Sequence, residues 1–370
     1  MAIDGRERFR GCLLGGAVGD ALGAPVEFHT REQILARFGP EGIAAYAPAY
    51  GGVGMITDDT QMTLFTAEGL LRYWVRGCMR GLSTHTGVTA NAYLRWLRTQ
   101  GEAPVREIGV GEPFGEGVPG WLYQQRTLHS RRAPGKTCIS ALLRMRGLGE
   151  PADNDSKGCG GVMRVAPVGL FVARLPHGRS ARKAFEMGTE LAALTHGHPT
   201  GSLSAGVLSA LVYQLAQGVS LIDALPAAKW ILHEFPGHEE TLRAVEAAEA
   251  AASHGAARPD AVASLGQGWV ADEALAIGLY CALTAETFTE GVRLAVNHDG
   301  DSDSTGSVAG NLLGTILGAR ALTAEWLGSL ELADVIAEIA DDLYDYPQWH
   351  LSEYTPDDET ERICQKYPGW

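Results

Sequence analysis

The chain has 370 residues, a formal net charge of -14, and 20% charged against 45% hydrophobic residues, a balance that suits a folded globular body and excludes extensive disorder. With a pI near 5.2 it is a poor partner for nucleic acid, whose affinity draws on Lys and Arg, although one small phosphate-bearing ligand stays compatible with it. No run of about 18 apolar residues occurs, because Asp20 breaks the apolar stretch after Cys12, and this argues against a membrane-spanning helix.

Taken in chain order, the apolar periodicity predicts helices over 8–24, 60–75, 84–100, 138–147, 183–194, 201–217, 221–234, 240–253, 271–286, 305–320 and 332–345, without a succession of strands. The reading is all-α: one compact multi-helix domain over 1–340 and a C-terminal tail over 341–370, rich in acids and aromatics, packed on the body. Gly- and Pro-rich loops over 38–56, 101–120, 148–162 and 264–270 leave backbone able to approach a ligand closely. Glycine recurs at every fourth position in two predicted helices, at Gly11, Gly15, Gly19 and Gly23 and at Gly306, Gly310, Gly314 and Gly318. Each costs roughly 1 kcal/mol against alanine, so the pattern predicts a groove into which a neighbouring helix packs, at the centre of the fold. The helix after Asp59 is apolar on both faces, with Met62, Phe65 and Leu70 against Leu64, Leu71 and Trp74, as a buried element would be. Six cysteines without a CxxC pair, behind a charged N-terminal stretch, point to a reducing cytoplasmic setting.

Two acid-rich clusters, Thr57-Asp58-Asp59 and Asp299-Gly300-Asp301-Ser302-Asp303-Ser304, each precede an apolar helical stretch, roughly 240 positions apart. They read as two halves of one metal site. Carboxylates grouped with hydroxyls are the ligands that hard cations such as Mg²⁺ take, and four carboxylates converging on one point repel unless cations lie between them, so two ions are expected. Thr57-Asp58-Asp59 alone would be an ordinary N-cap. An EF-hand loop fails on the second cluster, which places Ser304 and Gly310 where Gly and Glu are required. A phosphatase with an aspartyl nucleophile after Val292–Val296 would need a parallel sheet for which no strands are in sight.

Three stretches lie between the clusters. Gly135-Lys136-Thr137 opens a predicted helix but departs from a Walker motif at Ser130, so it reads equally as a capped helix or as a phosphate-receiving turn. Ser156 to Gly161 makes a turn of small side chains against which ribose or pyrophosphate fits, or a plain helix-entry loop with Cys159 buried. His196 and His198 precede a helix without a third zinc ligand; they read as substrate-contact or supporting residues, or as capping and core histidines.

Seven segments in order, GCLLGGAVGDALGAPVEF, TDDTQMTLFTAEGLL, APGKTC, SKGCGGVMRVAPVGL, LTHGHPTG, GQGWVADEAL and GDSDSTGSVAGNLLG, resemble the ADP-ribosylglycohydrolase family over about residues 8–320. The resemblance implies a compact all-α fold with two Mg²⁺ ions, Mn²⁺ in some members, in a cleft that binds ADP-ribose. It assigns Thr57, Asp58, Asp59, Asp301, Asp303 and Ser304 as metal ligands, with Ser304 where many members carry Thr. Glu27 matches the acid of a flap over the site and Asp20 a buried acid behind it. Gly135, Lys136 and Thr137 match a diphosphate loop, and Ser156, Lys157, Gly158 and Cys159 a ribose- and phosphate-side loop. His196 would contact substrate and Trp269 would wall the distal ribose. The implied catalytic residues are Asp59, as proton acceptor, with Asp58 and Glu27. The implied substrate is an ADP-ribosylated protein, with mono-ADP-ribose removed from arginine. Hydrolysis of O-linked ADP-ribose, on serine or acetate, is the nearest alternative, and a catalytically idle ADP-ribose-binding module is another.

Overall fold

The computed structural model describes residues 3–105, 120–255 and 257–369, along which seventeen α-helices follow one another. They are α1 (Gly5–Gly23), α2 (Arg31–Phe38), α3 (Asp58–Arg80), α4 (His85–Thr99), α5 (Lys136–Arg144), α6 (Ala166–Arg174), α7 (Ala181–Ala193), α8 (Pro199–Ala216) and α9 (Leu221–Leu232). Then come α10 (Glu239–Ala252), α11 (Pro259–Ser264), α12 (Ala271–Thr284), α13 (Phe288–Val296), α14 (Ser302–Leu317), α15 (Ala324–Ser329), α16 (Ala333–Asp345) and α17 (Asp358–Lys366). Among the described residues the only β pairing is two isolated bridges, Ala49 with Gly52 and Gly158 with Val270. The all-α expectation holds. Of the loop read over 101–120, residues 106–119 lie outside the described residues.

The glycine stripes meet each other. A Cβ on Gly19 would stand 1.9 Å from the Gly306 carbonyl oxygen, one on Gly310 2.0 Å from that of Gly15, and one on Gly314 1.9 Å from that of Gly11. Helices α1 and α14 therefore touch backbone to backbone, which no residue with a side chain permits. Asn311 fixes their register by donating from Nδ2 to the Cys12 carbonyl at 2.8 Å. Around this seam α3, α6, α8 and α12 are buried over most of their length, and one apolar core runs from Phe9 to Tyr367.

Several helices that periodicity did not disclose have clear physical reasons. In α6 every residue from Ala166 to Ala173 is buried, so no polar stripe marks a period. Helix α13 contains the Val292–Val296 run that resembles a strand; Thr287 caps it, accepting the Glu290 amide, and the sheet-based phosphatase reading falls with it. Helix α2 is set locally, by a capping box in which Thr30 and Gln33 each bind the other's amide.

Toward the C-terminus α16 runs unbroken through the boundary read at 340, and Tyr346, Ile363 and Tyr367 are buried in the core. The Tyr367 hydroxyl donates to Asp342, while Arg72 and Arg76 donate to the carbonyls of Pro368 and Gly369 at 3.3 and 2.9 Å. Arg72 also belongs to a fully buried trio with Glu68 and Arg95, each guanidinium 2.9 Å from a Glu68 oxygen.

Candidate active site

The glycine seam sets the relative position of the two acid clusters. Asp20, one residue after Gly19 and wholly buried, accepts the amides of Thr57 and Thr60 at 3.0 and 3.1 Å, and so holds the N-terminus of α3 against α1. Asp58 and Asp59 open α3, with Thr57 as N-cap accepting the Asp59 amide. Asp301 caps α14 on the other side of the seam, and Asp303 lies in its first turn beside Ser304, whose amide they share. Arg132 fixes the segment just before Thr57: it donates to the Ile56 carbonyl at 2.8 Å and pairs with buried Glu331. Two helix N-termini thus point four carboxylates at one place, where the helix dipoles favour negative charge.

Glu27, on the turn after α1, completes the group. One oxygen each of Glu27, Asp301 and Asp303 lie within 4.8 Å of one another. Glu27 Oε2 and Asp59 Oδ1 are buried without a hydrogen-bond partner, which no folded protein tolerates cheaply. Oxygen donors alone, converging and short of partners, are what a hard divalent cation requires, and the residues present fit one.

This cluster forms one wall of a cavity of about 630 Å³. Gly135 to Thr137, at the start of α5, lie on its edge together with Gly158 to Gly160, Met163, His196, Trp269 and Phe28. The loops are tied to the acids and to each other. The Gly135 amide donates to Asp58 Oδ2 at 3.1 Å, Cys159 Sγ to Asp301 Oδ2 at 2.8 Å, and Thr137 Oγ1 stands 3.1 Å from Ser156 Oγ. An antiparallel bridge, with the Ala271 amide 2.8 Å from the Lys157 carbonyl, joins the Gly158 loop to Trp269.

Burial, and then the charge of Asp303, pushes Asp20 up to about 7 from 3.8 and Glu27 up to about 11 from 4.5. Asp58, Asp59 and Asp301 are held well above the usual carboxylate range, by burial first. His196 goes the other way, down to about 3, because burial and then Arg164 disfavour its cation. A carboxyl with a raised folded value favours the folded state only while protonated, so Asp20's contribution is complete below 3.8 and is lost as pH climbs through about 7. In EDTA the melting temperature should therefore fall by several degrees from about pH 5 to about pH 8, and saturating Mg²⁺ should flatten the slope. A melting temperature that rises with pH in EDTA would contradict the site's electrostatics.

The structure brings Asp58, Asp59, Asp301, Asp303 and Ser304 to one cavity wall, whereas Thr57 is buried, accepts the Asp59 amide and does not line the cavity. Asp299 does not join them: it is exposed and accepts the Arg31 amide at the start of α2. Ser156 and Lys157 also stand off the cavity wall, Lys157 donating to Glu240 at 3.0 Å. His198 caps α8, its Nδ1 accepting the Thr200 amide, while His196 faces the cavity with Nδ1 2.8 Å from Thr195 Oγ1. Sequence reasoning missed Arg164, a fully buried guanidinium that donates to Gly160 O at 2.6 Å and Thr195 Oγ1 at 2.7 Å and so sets both the Gly158 loop and His196. It also missed Tyr50, whose φ of 51° in a tight Ala49–Gly52 turn is unusual for a bulky residue. Nothing in the sequence marks either one.

Comparison with known proteins gives one consistent answer. The chain is 24% identical to an ADP-ribosyl-[dinitrogen reductase] glycohydrolase of Rhodospirillum rubrum, over 88% of this chain and 91% of that protein. It is 26% identical to ADP-ribosylarginine hydrolase Tri1 of Pseudomonas putida (strain GB-1), over 92% and 78%, and 24% identical to ADP-ribosylhydrolase ARH3 of Mus musculus, over 90% of each. A solved structure described as an ADP-ribosylglycohydrolase-related protein complex superposes with a TM-score of 0.65 at 26% identity, covering 92% of this chain and 98% of that one. A family profile described as ADP-ribosylglycohydrolase matches residues 1–352, and the chain belongs to that family.

Proposed function

We propose that this family member is a Mg²⁺-dependent hydrolase that removes mono-ADP-ribose from arginine side chains, with two cations held among Thr57, Asp58, Asp59, Asp301, Asp303 and Ser304. The observation that carries the reading is the convergence of two helix N-termini, with buried acceptor oxygens that lack partners, on the wall of a cavity of ligand size. Support for arginine as the acceptor comes from the relative named ADP-ribosylarginine hydrolase Tri1. Divalent cations in such a site supply charge neutralisation, hold hydroxyl ligands and acidify water.

The protein's own residues supply the rest. Asp59, with Oδ1 unpaired at the cavity, is the proton acceptor for the attacking water, and Asp58 keeps its place through the Gly135 amide. Glu27 lies beside Asp301 and Asp303 and orients water or the leaving nitrogen. The Gly158 to Gly160 backbone and the α5 entrance receive ribose and phosphates; since the Gly135 amide is engaged by Asp58, the helix dipole and the following amides remain for the diphosphate. Trp269 walls the distal ribose, and neutral His196 offers a hydrogen bond without a charge. Packing of the loops around the ribose brings C1 and water into reaction geometry.

If cation and ribose share one site, each must tighten the other's binding by the same factor. The melting-temperature shift produced by Mg²⁺ and ADP-ribose together should exceed the sum of their separate shifts. Equal affinity for ADP-ribose in EDTA and in Mg²⁺, measured by calorimetry, would separate the two sites and count against this mechanism.

A further inference from the structure

Phe28 follows Glu27 on the turn after α1, yet its ring is 70% exposed. It does not stand alone. Phe28 stacks on Trp269 with centroids 5.8 Å apart and planes 18° from parallel, and both rings line the cavity beside Glu27, Asp58 and Asp59. Trp269 is 39% exposed, so two aromatic planes meet water at the edge of a strongly acidic cleft. Leaving a phenyl face in water sacrifices apolar burial. A flat cation is the occupant that two exposed, stacked rings suit: their faces attract it through their quadrupoles, and a planar guanidinium lies flat against a planar ring. A neutral hydroxyl or an acyl group gains from neither.

We infer that Phe28, backed by Trp269, is the specificity-determining residue that stacks the guanidinium of the arginine leaving group. This rests on the arginine-hydrolase reading above and adds to it the place where the protein side of the substrate is recognised. The Phe28 turn is joined to the loop ahead of α14 through the Arg31 amide and Asp299, so the ring is carried on a loop anchored at both ends.

The test compares wild type, Phe28→Ala and Phe28→Tyr on arginine-linked and serine-linked ADP-ribose, with the affinity for free ADP-ribose measured in parallel. Phe28→Ala should raise KM for the arginine-linked substrate about five- to tenfold, with the loss falling on KM and not on kcat. Its affinity for free ADP-ribose should stay within about twofold of wild type, and Phe28→Tyr, which keeps the π face, should restore KM. Because the ring is exposed, its removal leaves the fold intact, as circular dichroism will report. An equal loss of affinity for free ADP-ribose would make Phe28 a ribose contact and overturn the inference, as would an unchanged KM in an active enzyme. A wild-type enzyme that releases nothing from the arginine-linked substrate overturns both readings, whereas an active wild type with an indifferent Phe28→Ala overturns this one alone.

Discussion

Asp58→Ala or Asp303→Ala will lower turnover at least about a thousandfold while the helical fold survives. Each carboxylate sits among acids, and the strongest charges acting on Asp59 are those of Asp303, Asp20 and Asp58. Removing one therefore relieves repulsion within the protein even as it deletes a ligand, so no large loss of stability accompanies the loss of activity. Asp58 has one structural duty, acceptance of the Gly135 amide. Asp58→Asn keeps an acceptor oxygen there and should still be inactive, which separates charge from loop position. The pair of measurements is turnover in saturating Mg²⁺ and far-ultraviolet circular dichroism; near-normal turnover in either alanine variant would remove that residue from the metal site.

The second large effect concerns the seam. Gly19→Ala and Gly310→Ala should each destabilise the protein by about 3 kcal/mol or more, although alanine is the better helix former. The added methyl would meet backbone, the Gly306 carbonyl at 1.9 Å and the Gly15 carbonyl at 2.0 Å, and backbone cannot swing aside as a side chain can. Gly77 is the control: it is exposed in α3 with nothing near its would-be Cβ, so Gly77→Ala should stabilise by about 0.5–1 kcal/mol. Denaturant midpoints of the three variants decide the matter. Stabilisation at all three positions would show that the stripes are not a contact. Gly19→Ala should also impair activity beyond its effect on folding, since Asp20, the next residue, positions the start of α3.

These glycines were the most legible part of the fold in sequence, because a costly residue repeated at the helical period demands a close partner. The acid clusters were legible for a related reason: carboxylates gathered at two helix starts are hard to explain singly and easy to explain together. What stayed hidden depends on distance. No pattern tells that Lys157 turns to Glu240, that Asp299 serves the start of α2, or that Arg164 supports Gly160 and Thr195 from within the core. Helix α6 was invisible because periodicity reports a contrast between faces, and a segment buried on every side has none. Phe28 escaped because exposure of an aromatic is a property of the fold; beside Glu27 in the sequence it looks like ordinary core material.

The most direct measurement is release of ADP-ribose from matched arginine-, serine- and acid-linked substrates, each with Mg²⁺ and with EDTA. Fastest release from the arginine-linked substrate, abolished by EDTA and restored by added Mg²⁺, is the expected result. Preferential release from an O-linked substrate would reassign the linkage. Release that persists undiminished in EDTA, or none from any of the three, would contradict a metal-dependent arginine hydrolase.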